Sequence, residues 1–192
     1  MAGVMYGQFH IGPQVGYTAA NLSVDKADIT AGLQNNMVVG VFMRLGKKIY
    51  LQPEVNYLTQ GSVFQFKFGQ SIIKQDVQLK SIQVPLNLGA QLIDLKVAKL
   101  RIFGGVTGNF VANKTIDTSG NPSEYLKPDN INDVTFQYQV GVGVDVLMFA
   151  LDVKYYGGIN DLVNGNVTYN STTQQVTAPS NVFMVTLGWK IL

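Results

Sequence analysis

The chain has 192 residues, a formal charge of +2, no cysteine, 46% apolar residues and only 14% charged ones, where soluble domains usually carry about 25% charge. So small a positive charge, with no run of Lys or Arg interleaved with aromatics, excludes a nucleic-acid groove, and the lack of cysteine excludes disulfides, Cys-type zinc and thiol catalysis. No run of about 18 apolar residues offers a transmembrane helix, but strands that alternate over about 10 residues can still cross a membrane.

The opening, Met-Ala-Gly-Val-Met-Tyr-Gly, has neither the basic n-region nor the apolar h-region of a signal peptide, so an exported protein would have had its signal removed. Alternation first appears over 9–18, where Phe9, Ile11, Pro13, Val15 and Tyr17 share one face and His10, Gly12, Gln14 and Gly16 the other. A polar loop is expected over 19–35. The second strand, 36–46, sets Met37, Val39, Val41, Met43 and Leu45 against Val38, Gly40, Phe42 and Arg44, and Gly46-Lys47-Lys48 predicts a tight turn. The third begins near Ile49 and sets Leu51, Pro53, Val55 and Tyr57 against Tyr50, Gln52, Glu54 and Asn56. Proline cannot donate a ladder bond, so a bulge is expected at Pro53. Alternation over 63–68 and 72–80 predicts a long hairpin rising beyond the apolar band, its tip near Gly69-Gln70. Phe64, Phe66 and Phe68 there read as strand packing or as an exposed binding ridge.

The fourth strand, to about Leu92, sets Ile82, Val84, Leu86, Leu88 and Ala90 against Gln83, Pro85, Asn87, Gly89 and Gln91. A short turn spans 94–98. The fifth strand, 99–112, sets Leu100, Ile102, Val106 and Phe110 against Arg101, Phe103, Gly105, Thr107 and Asn109. A loop rich in Asn, Asp, Ser, Pro and Gly is expected over 113–133. Strands six and seven flank the tight turn at Leu147-Met148. Phe136, Tyr138, Val140, Val142 and Val144, then Phe149, Leu151, Val153 and Tyr155, lie on the apolar side. A long polar loop is expected over 158–181, and the eighth strand, 182–192, sets Phe183, Val185, Leu187, Trp189 and Ile191 against Met184, Thr186, Gly188 and Lys190. Connections after strands two, four and six are tight and the others long. That order predicts an all-β fold of one domain over 1–192: an eight-stranded antiparallel up-and-down transmembrane β-barrel with short periplasmic turns, long extracellular loops and both termini at the short-turn rim.

A soluble lipocalin-like barrel carrying an apolar ligand would alternate in the same way, with its apolar face inward. The charges bear on this choice. Arg44, Glu54, Arg101, Asp145, Asp152, Lys154 and Lys190 all fall on the small, polar face, which is dominated by Gly, Gln and Asn, whereas a water-exposed surface usually carries about 25–35% charge. A narrow lumen suits such a face, and the bare apolar face suits lipid. Aromatics agree: Tyr17, Tyr57, Phe110, Tyr138, Tyr155 and Phe183 sit near the long loops, and Phe9, Phe149 and Trp189 near the short turns, as two interfacial girdles. Four cations and three anions in a poorly hydrated lumen must pair, so a crosslinked network is expected, with Arg44 in diagonal reach of Glu54 and Lys190 beside Asp152.

Gly12-Pro13-Gln14-Val15-Gly16, Leu51-Gln52-Pro53-Glu54-Val55-Asn56-Tyr57, Ile82-Gln83-Val84-Pro85-Leu86 and Lys154-Tyr155-Tyr156-Gly157-Gly158-Ile159-Asn160-Asp161 stand in an order that resembles the PorT-like outer-membrane β-barrel family of Gram-negative bacteria. The resemblance spans most of the chain. It implies an outer-membrane location and an eight-stranded fold, and supplies no catalytic residues. Such barrels often end in an aromatic residue, where this sequence has Leu192.

His10 is the sole histidine, and no serine lies in the strand cores delimited above, so a hydrolase triad and a metal site are both disfavoured and no cofactor is implied. Gly141-Val-Gly143 lacks the strand-to-helix setting of a phosphate loop, and the Asn-x-Ser/Thr matches at Asn21, Asn113, Asn166 and Asn170 are ordinary in such loops. The expected function is a non-enzymatic outer-membrane scaffold. Its partners would be membrane lipid and a protein or surface ligand met by the long loops. The alternatives are the soluble carrier and a narrow pore.

Overall fold

The computed structural model describes residues 9–20, 29–68, 71–95, 97–119, 132–169, 172–179 and 181–191. Its strands are β1 (Phe9–Ala20), β2 (Ile29–Gly46), β3 (Ile49–Phe68), β4 (Ser71–Asp94), β5 (Ala98–Ser119), β6 (Val134–Val146), β7 (Phe149–Gly158), β8 (Asp161–Tyr169), β9 (Thr172–Pro179) and β10 (Val182–Trp189). Eight of them close a barrel in the ring order β1-β10-β7-β6-β5-β4-β3-β2, while β8 and β9 form a separate two-stranded sheet. Every ladder is antiparallel, and closure is completed where β1 pairs with β10 from Gln14↔Gly188 to Ala20↔Val182. No helix of the described residues is long and apolar enough to cross a membrane.

Period-2 alternation translates directly into two faces. On β6 the exposure pattern alternates without a break from Val134 to Val140, and on β10 from Val182 to Trp189. The outward residues are apolar: Val15, Val39, Val55, Val140 and Val142 are each about half exposed. Inside, buried polar and charged side chains outnumber apolar ones 20 to 10 among the described residues. This is the inverse of a soluble core, and it overturns the carrier alternative, whose ligand would need an apolar lumen.

Several boundaries differ from the sequence expectation. β2 begins at Ile29, inside the stretch expected to be loop, and its register to β3 shifts between Gln34 and Met37. β5 runs on to Ser119, with a shift against β4 at Lys80/Ser81. Each irregularity inserts one residue into β2 or β5, and the stretches beyond, Ile29 to Asn36 and Ala112 to Ser119, are rich in Thr, Asn and other small or polar residues, so they did not read as continuations of the strands below. The expected polar loop over 158–181 contains the β8–β9 hairpin. By contrast the bulge expected at Pro53 is absent: β3 keeps one register to β4 from Pro53↔Leu86 to Asn56↔Gln83 and one to β2 on either side of the proline. The long hairpin is present, with pairing carried to Phe68↔Ser71. Its tip, Gly69-Gln70, and the side chains of Phe64, Phe66 and Phe68 lie outside the described residues, as does most of the loop after β5.

Short turns behave as their residues dictate. Gly46 adopts φ 124, a conformation open to glycine, and lets β2 reverse at Lys47-Lys48. The β6–β7 turn instead places Leu147 at φ 53.

Candidate functional site

The seven charged residues expected in the lumen all project into it, and the structure joins them in two hubs. Glu54, on β3, is the upper one. Lys154 Nζ on β7 donates to both its oxygens, at 2.8 and 2.7 Å. Gln14 Nε2 and Gln52 Nε2 each donate at 2.8 Å, Asn87 Nδ2 at 3.1 Å and Asn56 Nδ2 at 3.3 Å. Asn87 in turn accepts from Gln139 Nε2. The carboxylate is therefore fully desolvated yet surrounded by donors, which is the condition under which a buried ion is tolerated.

Asp145, on β6, is the lower hub. Arg44 Nη1 meets its Oδ2 at 2.7 Å, Arg101 Nη2 its Oδ1 at 2.7 Å, and Lys190 Nζ its Oδ2 at 3.1 Å. Arg101 also holds Asp152 at 2.6 Å and donates to the Tyr50 hydroxyl at 3.2 Å. The two hubs are linked by Gln52, whose Oε1 accepts from Arg44 Nε at 2.8 Å while its amide nitrogen serves Glu54. Rings pack among the cations: the Arg44 guanidinium lies 5.0 Å from the Tyr50 centroid, and Lys154 Nζ 5.9 Å from that of Phe103.

Two expected pairs are corrected. Arg44 binds Asp145 rather than Glu54, and Lys190 binds Asp145 rather than Asp152. The reason is the bore. β2 and β6 stand half the ring apart, as do β3 and β7, so Arg44–Asp145 and Lys154–Glu54 are struts across the lumen, formed by long side chains that bypass their ladder neighbours. Arg44, Arg101 and Lys154 balance Glu54, Asp145 and Asp152 in the interior. Lys190 is the least buried of the seven, its side chain 11% exposed, and adds the fourth cation at the mouth.

Small residues make room for the network. A Cβ on Gly141 would lie 2.5 Å from the Phe103 ring, and one on Gly89 would collide with that of Tyr50, so the aromatic rings occupy space that only glycine leaves free. Above Glu54 the lumen changes character. Val38, Leu58, Tyr156, Val182 and Met184 form a buried apolar cluster, and Tyr156 donates its hydroxyl to Met184 Sδ at 3.6 Å. Sequence reasoning assigned this face to polar groups and missed the cluster, as it missed the four amides around Glu54. The one available signal was the run of Gln and Asn facing inward beside Glu54.

His10 sits opposite Arg44 at the short-turn end. A buried serine, Ser81, does lie in β4, against the expectation of none, but beside Leu58 and Val111 toward the long-loop end. Among the described residues no group of three His, Cys, Asp or Glu is placed to hold a metal. Outside the barrel, Tyr17, Tyr57, Phe110, Tyr138 and Phe183 are each about half exposed toward the long-loop rim, with the Tyr155 ring tilted between those of Tyr138 and Phe183 at centroid distances of 6.5 and 4.9 Å. Phe9, Phe149 and Trp189 are similarly exposed at the other rim.

Residues 5–164 match the family described as outer membrane protein beta-barrel domain. Among solved structures, the outer membrane protein AlkL, determined in lipid bilayers, superposes with a TM-score of 0.54 at 13% identity, covering 100% of this chain and 94% of that one. Ail, the attachment invasion locus protein of Yersinia pestis, gives 0.47 at 10% identity over 96% and 99%. The Escherichia coli outer membrane protease OmpT gives 0.49 at 10% identity over 100% and 99%. No curated protein is a significant match in sequence.

Proposed function

The chain belongs to the outer membrane protein β-barrel domain family, and from that premise we propose that it is a non-enzymatic scaffold that holds extracellular β-structure above the bacterial outer membrane for binding another macromolecule. Its strand motifs resemble the PorT-like branch of such barrels. One observation carries the reading. β3 and β4 are 20 and 24 residues long, while β7 and β10, which suffice for the barrel, are 10 and 8. Pairing of β2 with β1 ends at Met37 and pairing of β5 with β6 at Phe110, yet β2 through β5 continue to pair with one another beyond those points. A four-stranded sheet thus continues past the barrel. The β8–β9 hairpin emerges between β7 and β10, half the ring away.

Among the described residues no strand pairs with the outer edge of β2 before Met37 or with that of β5 after Val111, whose N–H donates to the Asp133 carbonyl, and a β-surface with such edges is suited to recognising an extended segment of a partner. Catalysis has no comparable support. His10 and Ser81 stand at opposite ends of the lumen, whereas a triad needs its base beside its hydroxyl. A pore is disfavoured by the struts across the bore. The test is to replace residues 60–79 by a short turn in cells displaying the protein, then compare capture of host or bacterial surface material with the full-length chain. A folded, heat-modifiable barrel that has lost capture is the expected result; unchanged capture after both this deletion and that of 161–179 would contradict the reading.

A further inference from the structure

The outward aromatic residues stand in two rows, and the rows are close together. From Phe149 to Tyr155 on β7, and from Phe183 to Trp189 on β10, is six residues. At about 3.3 Å per residue and a tilt near 40° this is about 15 Å along the barrel axis, against an apolar band of about 25 Å in outer-membrane barrels. On β1, Phe9 to Tyr17 is eight residues, or about 20 Å by the same geometry. One row must therefore lie within the hydrocarbon. Among the described residues the outward-facing tyrosines, Tyr17, Tyr57, Tyr138 and Tyr155, all belong to the long-loop row, where their hydroxyls need water. The short-turn row, Phe9, Phe149 and Trp189, makes no such demand beyond one indole N–H.

Below that second row the chain turns apolar where barrel turns are usually polar. Leu95 and Val97 in the β4–β5 turn are 59% and 63% exposed, and Leu147 and Met148 in the β6–β7 turn 70% and 48%. The two turns are joined, Leu147 N–H donating to the Val97 carbonyl at 3.3 Å. Leu147 also occupies the left-handed region, at φ 53, where glycine or asparagine is the ordinary choice. Among the described residues nothing covers its side chain, 70% exposed, to offset that strain. On the other side of the rim the β2–β3 turn is Lys47-Lys48, both exposed.

We propose that the short-turn rim is immersed in the periplasmic leaflet, deeper on the β4–β7 side: Leu95, Val97, Leu147 and Met148 contact phospholipid acyl chains while Lys47 and Lys48 extend to headgroup phosphates. Long lysine side chains reach such an interface while their stems stay in the apolar layer. The partner is lipid rather than a periplasmic protein, because the missing height of the apolar band is supplied by these turns and the cations lie at its margin.

Trp189 is the only tryptophan and belongs to the row in question, so its fluorescence reads the depth directly. The full chain, folded into phosphatidylcholine vesicles brominated near the headgroup, at mid-chain or near the chain end, should be quenched most by mid-chain bromine. Strongest quenching by bromine near the headgroup would place the row at the interface and overturn the proposal. In a second arm, Leu147→Asn suits the left-handed backbone. It should leave the melting temperature in detergent micelles unchanged or raised, and in vesicles move the quenching maximum of Trp189 toward the headgroup. The same depth profile as wild type, with equal stabilisation in micelles and vesicles, would show that Leu147 does not touch lipid.

Discussion

Glu54 accepts hydrogen bonds from five side chains on four strands, so its charge is tied to the whole cross-section rather than to one neighbour. Lys154→Ala should leave that carboxylate with amide donors alone and cost about 3–5 kcal/mol, read by urea unfolding in vesicles. Replacing both partners, Glu54→Leu with Lys154→Met, should recover most of the loss, because neither ion is then buried alone. Asp145→Ala should be more damaging than Asp152→Ala: the first removes the acceptor of Arg44, Arg101 and Lys190, whereas the second leaves Arg101 still paired with Asp145. Equal losses would mean that the lower hub is not organised around Asp145. On the outer face, Val142→Arg puts a cation in lipid at a cost of about 2–4 kcal/mol and should prevent stable insertion, seen as loss of the heat-modifiable gel shift. Gly188→Ser, in the lumen, should still insert, although Phe42 must move, since a Cβ there would come within 2.7 Å of its ring. At this scale the sequence told which way each charge points and left its partner open. Alternation fixes a face, but reach across the bore depends on which strands stand opposite.

Elements were legible where large apolar residues alternate without interruption and illegible where small and polar residues replace them. β6 and β7 read cleanly from their alternation, whereas the upper parts of β2 and β5 lie beyond register shifts and passed for loop. The β8–β9 hairpin was missed for another reason: Asp161–Tyr169 and Thr172–Pro179 are dominated by Asn, Thr, Gln and Gly, a composition that reads as turn. One residue governs how that hairpin leaves the barrel. The Asn160 side chain accepts from the Phe136 N–H at 2.6 Å and donates to the Val134 carbonyl at 3.3 Å, standing in for one more rung of the β6–β7 ladder. Asn160→Ala should therefore speed hydrogen exchange at the Phe136 amide while leaving exchange at the centre of β6 unchanged. Slow exchange at Phe136 in the variant would show that the hairpin is held otherwise.

At the scale of the whole molecule the barrel has two exteriors and a braced centre. Lipid solvates the outer face, an apolar cluster fills the lumen toward the long loops, and paired ions fill it toward the short turns. Ring order supplies the mechanical sense of this arrangement, since the two struts join hairpin β2–β3 to hairpin β6–β7 across the bore. On the proposed reading the barrel is a plugged anchor, and its binding function belongs to the strands that continue beyond it. The most direct measurement of that claim is the conductance of the purified wild-type protein in a planar bilayer. A silent membrane is expected at every applied voltage that the bilayer withstands; a stable, sizeable single-channel current would contradict the plug and make the lumen a pathway.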